Sequence, residues 1–234
     1  INDIKYVYNL DLQIYSKDTT KITKLNPSTV FSSFGFMANN TMNTGSSMMT
    51  NRMNVFNELP NNQDIIKNSY DILAGRLPKE KDEVILILDS YGEISDYALY
   101  AIGLKDQQEL TDMTSKIMKG ETLEDPVQTT YTYDEILNLE FKLVLNTDYY
   151  QKTGDNWIDK SLDNEYMKNI INKGLTLKIV GIMKPNEEST NQTSGEIGYT
   201  QELTKYVINK INESPIAKEQ IANKEQNVIT KLPF

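Results

Sequence analysis

The chain has 234 residues, 33 of them acidic and 24 basic, a net charge of -9, and neither cysteine nor histidine. That length can bury a substantial core as one large or two smaller domains, and the acidity argues against general affinity for nucleic acid or anionic lipid. Without cysteine or histidine there are no disulfides, thiolate metal sites, cysteine nucleophiles or imidazole-dependent catalysis. No run approaches the roughly 18 apolar residues of a membrane-crossing helix. The chain opens at Ile1 with no basic-then-apolar leader, which fits either an excised piece of a larger protein or a processed chain.

Taken in order, residues 4 to 14 alternate, with Ile4, Tyr6, Tyr8, Leu10, Leu12 and Ile14 on one side, predicting a long, half-solvated strand. Residues 28 to 57, rich in Ser, Asn, Thr and Met, read as a loop with a short helix near Ser47 to Phe56. Asn61 or Asn62 caps a short helix through Ser69, with Ile65 and Ile66 turned to the core. Gly75-Arg76-Leu77-Pro78 is a bend: Gly75 permits backbone angles closed to other residues, and Pro78 biases Leu77 towards extended geometry. Val84 to Leu88 follows as a buried strand. Ser95 caps a helix ended by Gly103, and residues 106 to 118 form another.

Val127 to Tyr131 reads as a strand, Thr132 and Glu135 as a capping box, and Phe141 to Leu145 as a further strand. Turn chemistry at Gly154-Asp155-Asn156 sets Tyr149, Tyr150 and Trp157 as cross-strand neighbours. Ser161 is expected to cap a helix that Gly174 stops, before a strand over 175 to 183. Ile197 to Tyr199 is a short strand, Thr200 caps a helix with Leu203, Val207 and Ile211 on one face, and Ser214-Pro215 starts the next. Residues 227 to 230 return as a strand. The pattern predicts an α+β fold, with mixed sheets and short packed helices in two subdomains. Residues 70 to 185 form the inserted one, and 1 to 69 with 186 to 234 the outer, discontinuous one.

Five methionines, Met37, Met42, Met48, Met49 and Met53, offer thioethers for Cu(I) or an adaptable surface for a partner, but their irregular spacing favours a partner-facing or locally packed loop over a metal site. Arg76 is expected to bond Asp71, Glu83 or backbone carbonyls, in a structural role. Asp82, Glu83, Asp89, Glu93 and Asp96 flank a strand and a helix start, where solvation and capping account for them better than acid–base chemistry. Tyr149, Tyr150 and Trp157 make either an ordinary packed hairpin or a stacking platform for a partner. Asn39-Asn40-Thr41 and Asn191-Gln192-Thr193 match glycosylation sequons. No glycine stands in a Walker-type Gly-Lys-Ser/Thr context, and no cofactor is expected.

YDILAGRLPKEKDEVILILD followed by ISDYALYAIGL resembles the extracytoplasmic domain of ABC-transporter permeases of the MacB/FtsX-like class, particularly the long versions of low-GC Gram-positive bacteria. LKIVGIMKPNEE, IGYTQELTKYVINKINESPIAKEQ and VYNLDLQIYSKDT extend the resemblance over most of the chain, with Gly75, Arg76, Pro78 and Gly181 as its junction residues. The resemblance implies a MacB-like periplasmic-core fold and a membrane-protein fragment displayed on the extracellular side of the cell membrane. It also implies a non-catalytic coupling role, with the membrane-embedded remainder of the permease and a cytoplasmic ABC ATPase as partners, and an extracellular peptide, lipid or protein as substrate. The insertions at 28 to 57 and around 148 to 160 depart from the Gram-negative pumps. The other readings of the residues are a free-standing secreted binding or adhesion module and a carboxylate-based extracellular hydrolase.

Overall fold

Val84 to Leu88 alternate between two faces of a sheet and are buried on both. Val84, Leu86 and Leu88 enter the larger core, while Ile85 and Ile87 enter a smaller one opposite. They centre on β5 (Glu83–Ile87), one of eight strands that the described residues place in a mixed sheet. The computed structural model describes residues 10–26, 55–122, 129–189 and 195–234. Across the sheet the order is β2 (Lys24–Asn26), β1 (Gln13–Ser16), β6 (Glu140–Val144), β9 (Leu175–Pro185), β5, β10 (Glu196–Tyr199) and β3 (Phe56–Glu58). Off that path, β4 (Tyr70–Gly75) pairs with β9. A separate hairpin pairs β7 (Tyr150–Thr153) with β8 (Asn156–Asp159).

β9 is the spine. One edge takes β6 over Leu175 to Lys178 and β4 over Gly181 to Pro185, both antiparallel; the other edge runs parallel to β5. Strands from residues 1–69 and 186–234 thus flank a central block of strands from 70–185 in one sheet. Short helices cover it: α1 (Gln63–Ser69), α2 (Asp96–Ala101), α3 (Gln107–Met118), α4 (Tyr133–Leu137), α5 (Asn164–Lys173), α6 (Gln201–Glu213) and α7 (Pro215–Ala222). Leu203 and Val207 of α6, Ile136 of α4 and Ala98 of α2 fill the larger core around an edge-to-face pair, Phe56 and Phe141, with ring centres 5.5 Å apart. Met167 and Ile171 of α5 pack with Tyr15 and Val144 in a third cluster. The general α+β expectation is met: the fold is a mixed sheet with several short helices.

Local signals acted where they were predicted. The side chains of Asn62, Ser95 and Ser214 accept backbone N–H groups at the starts of α1, α2 and α7, and Thr132 and Glu135 form the capping box of α4. Other expectations need correction. β1 is short and covered on both faces, since Gln13 and Tyr15 are as buried as Leu12 and Ile14; residues 4–9 lie outside the described residues. Phe56 belongs to β3, parallel to β10, not to a loop or helix. Ile65 is 40% exposed, so Ile66 alone anchors α1. Asp163, not Ser161, caps α5, and the Thr200 hydroxyl donates to the Glu80 carbonyl instead of capping α6. Residues 129–131 form no strand, and 227–230 form a turn closed by one bridge between Gln226 and Pro233. The membrane-protein-fragment expectation is also corrected: among the described residues no helix is long and apolar enough to cross a membrane.

At the bend the backbones of β4 and β9 nearly touch. Gly75 sits opposite Gly181 with φ +67°, and a Cβ on either would lie 2.2 Å from a carbonyl oxygen, of Val180 or Arg76 respectively. The Arg76 N–H donates to the Val180 carbonyl (2.9 Å), which carries the ladder one residue past the glycine. The Arg76 guanidinium then forks onto Glu83, one arm at 2.8 Å, and donates to the Leu77 carbonyl. The Glu83 carboxylate also accepts the Lys79 and Glu80 N–H groups, so one side chain closes the whole turn from 76 to 83. Pro78 is buried beneath it, beside Leu77, which packs on the smaller core. Of the partners predicted for Arg76, Glu83 and a carbonyl are used.

Gly181→Ala and Gly75→Ala are expected to lower unfolding stability by about 2 kcal/mol or more, read as a drop in urea midpoint, because backbone must move to admit a methyl group. The bidentate Arg76 bond, with two backbone N–H groups, holds the Glu83 carboxyl at about 2, below its ordinary 4.5. A depressed folded-state value contributes stability that is complete above the unfolded value and fades as pH falls through the folded one. The stability gap between the wild type and Glu83→Gln should therefore shrink between about pH 5 and about pH 2; a gap that stays constant counts against the clasp.

Candidate functional site

Tyr149 and Tyr150 are successive residues at the end of a 3-10 turn (Asn146–Tyr149) entering β7. Extended backbone sends neighbouring side chains opposite ways, and these two rings meet different parts of the chain. The Tyr149 hydroxyl donates to Gln13 Oε1 (3.0 Å) and lies 2.7 Å from the Tyr15 hydroxyl, both on β1. Burial, then the neighbouring Tyr15, push the Tyr149 phenol well above its ordinary range, so the pair stays neutral. Tyr150 instead packs on Trp157, Ile216 of α7 and Val228 of the C-terminal turn. The two tyrosines thus tie the N-terminal strand to the C-terminal segment.

Cross-strand pairing builds the rest. Lys152 stands opposite Trp157 and Tyr150 opposite Asp159, which puts Tyr150, Lys152 and Trp157 on one face of the hairpin. That face turns towards α7, where Glu219 accepts from Trp157 Nε1 (3.1 Å) and from Lys152 Nζ (2.6 Å), while the Lys152 ammonium sits 5.5 Å from the indole centre. The Lys152 ammonium, foremost, holds the Glu219 carboxyl below the usual range. Trp157 is 9% exposed and its N–H is taken, so the indole serves packing between hairpin and helix.

Beside this seam runs a groove of about 320 Å³ lined by Thr147, Asp148, Tyr150, Trp157, Tyr166, Ile170, Lys173 and the Ser214–Ile216 start of α7. The Tyr166 hydroxyl donates to the Asp148 carbonyl (3.0 Å) and fixes one wall. Asp148 Oδ2 accepts the Leu145 N–H (3.1 Å), yet burial outweighs that bond and pushes its carboxyl upward. Two other grooves lie between α2 and α4 and beside the Leu77–Pro78 bend, of about 420 Å³ and 350 Å³. In the first, Asp96 is already paired with Lys105 at 2.8 Å.

The predicted residues are therefore distributed. Tyr150 and Trp157 come together, whereas Tyr149 precedes β7, faces β1 and is no cross-strand neighbour of Trp157; Gly75, Arg76, Pro78 and Gly181 form the bend described above; Met37, Met42, Met48, Met49, Met53, Asn39 and Asn191 lie outside the described residues. Of the five carboxylates, Glu93 and Asp96 line one groove, while Glu83 and Asp89 stand in separate turns. Glu83 is held by Arg76, Asp89 accepts the Tyr91 and Glu93 N–H groups of its own turn, and Asp96 pairs with Lys105. Among the described residues no group of three or more His, Cys, Asp or Glu is placed to hold a metal ion. Gln13, Tyr15, Thr147, Asp148, Tyr166 and Glu219 were not singled out from sequence. Only Glu219 carried a signal, lying one helical turn after Ile216 in a helix whose start Ser214-Pro215 announces.

Comparison with family models, with curated proteins and with solved structures finds no match to the chain.

Trp157→Ala should cost about 3 kcal/mol of stability, from lost burial and the cavity left behind. Hydrogen exchange should then rise selectively over 146–163 and 215–234, with β5 and β9 still protected. Uniform loss of protection would mean the hairpin is no separate seam.

Proposed function

We propose that the chain acts outside the cell as a non-catalytic module of an ABC-transporter permease, of the MacB-like periplasmic-core type, coupling ATP-driven motion to engagement of a substrate or partner. Two kinds of observation support the reading. The residues that carry the sequence resemblance, Gly75 to Leu88 and Val180 to Ile182, occupy the architectural centre of the sheet. The observation that carries most weight is the Tyr149–Tyr150 tie. It links the N-terminal strand directly to the C-terminal segment, so that displacement of either reaches the hairpin through packed side chains and not through loose loop. Such a tie suits a module that relays motion between these two segments. Of the carboxylates that suggest hydrolysis, Glu83, Asp89 and Asp96 are engaged locally. Membrane-crossing helices and the ATPase would be supplied from outside these residues.

The absence of native cysteine makes the test direct. Leu162 is 96% exposed in the turn between β8 and α5, so Leu162→Cys provides a single labelling site. In intact source cells it should react with a membrane-impermeant maleimide, and an ABC ATPase should co-isolate with the chain from solubilised membranes. Labelling only after lysis, or recovery of the chain without an ATPase, removes the proposal. External labelling on a chain released freely into the medium would instead identify a secreted binding module.

A further inference from the structure

We propose that the groove between α2 and α4 docks a basic polypeptide segment, with an apolar side chain of the partner in the groove and its lysine or arginine heads at the rim. Charge along the chain gives the first reason. Residues 88–138 hold 11 of the 33 acidic residues and 3 of the 24 basic ones, a net charge of -8, which leaves -1 for the rest of the chain. α2, α3 and α4 all come from this stretch. A surface built from so one-sided a stretch attracts a basic partner from a distance, and a concave part of it concentrates the field.

The second reason is the groove itself, which at about 420 Å³ has room for a large side chain. Leu88, Ile94, Leu99 and Ile136 give it an apolar lining, and Tyr131 and Tyr133 add rings. The Tyr131 hydroxyl donates to the Leu104 carbonyl (3.2 Å), so that ring is set before a partner arrives. Tyr133 is 44% exposed and offers its ring to a cation. Among the described lining residues Lys105 is the only cation, and it is spent inward: its side chain is 15% exposed, bonded to Asp96 and 5.6 Å from the centre of the Tyr100 ring. The Glu93 carboxylate, by contrast, is exposed and has no ion pair among the described residues. Asp89 stands in the same turn as Glu93, and Asp134 and Glu135 follow Tyr133 on α4. A metal ion or a small polyamine would leave the apolar lining uncovered, whereas a peptide bearing both kinds of side chain covers it and meets the carboxylates. The inference is independent of the permease reading, because it concerns this surface and a partner added in solution.

The test uses three hexapeptides with blocked ends, alternating lysine with leucine, lysine with glycine, and glutamate with leucine, each titrated into the full chain and followed by amide shifts. The lysine–leucine peptide is expected to shift the amides of Glu93, Ile94, Tyr131 and Tyr133 and to bind about tenfold or more tighter than lysine–glycine, which has nothing to place in the groove. Its binding should weaken as salt rises from about 50 mM to about 500 mM, and glutamate–leucine should not bind. Glu93→Lys should weaken the lysine–leucine peptide about tenfold, whereas Glu165→Lys, the same charge change at an exposed site on α5, should weaken it less than about twofold. Tyr133→Ser leaves every charge in place and should weaken it about threefold. Equal affinity for lysine–leucine and lysine–glycine, binding of glutamate–leucine as tight, or shifts confined to another surface would overturn the proposal. So would equal weakening by Glu93→Lys and Glu165→Lys, the mark of unspecific attraction; if Glu93→Lys unfolds, undiminished binding by Tyr133→Ser overturns it on its own.

Discussion

The contact on which the rest of the sheet depends is backbone against backbone, at Gly75 and Gly181. β9 must accept three strands, two sharing one edge in succession and a third running along the other. The hand-over along the shared edge requires β4 to end where β9 still faces β5. The chain does so by entering the left-handed region at Gly75, where a side chain would be strained, and by pressing its carbonyl groups into space a Cβ would fill. Glu83 then gathers the turn, and β5 leaves it already positioned beside β9. Both apolar faces of β5, and hence both cores, follow from that geometry.

The second organising feature is an aromatic seam at the other end of the sheet. A two-stranded hairpin is marginal by itself in water, and β7–β8 survives because one of its faces is buried. Trp157 and Tyr150 meet Ile216 and Val228, and Glu219 satisfies the indole N–H that burial would otherwise leave unpaired. Tyr149, facing the opposite way, spends its hydroxyl on β1. The seam joins distant parts of the chain, as a relay would, and it lies beside a groove lined by Asp148 and Tyr166.

Features legible in the sequence share a physical trait: their determinants lie within a few residues of one another. The Thr132–Glu135 box, the Ser214-Pro215 start, the hairpin around Gly154 and the buried run from Val84 were all readable for that reason. Where a second local candidate existed, sequence chose less well. Ser161 and Asp163 are both competent caps, and the Asp159 carboxylate, which accepts the Ser161 N–H, holds Ser161 in the preceding turn. Thr200 looked like a cap until the turn at Glu80 took its hydroxyl, a partner 120 residues away. β1 showed clean alternation, yet both faces are dry because α5 and Tyr149 cover the side that Gln13 and Tyr15 occupy.

From sequence alone came the mixed α+β character, most helix starts and stops, the bend at Gly75 to Pro78, and the hairpin that brings Tyr150 to Trp157. Each rests on backbone preference or short-range pairing, which a linear string records. Tertiary structure alone decided that β9 is the spine, that Glu83 rather than Asp71 answers Arg76, and that Glu219 caps the indole. It alone placed Thr147 and Asp148 in one groove with Tyr166. Those outcomes depend on which surfaces remain to be covered once the sheet has closed, a condition set by residues far apart in the chain and visible only when they meet.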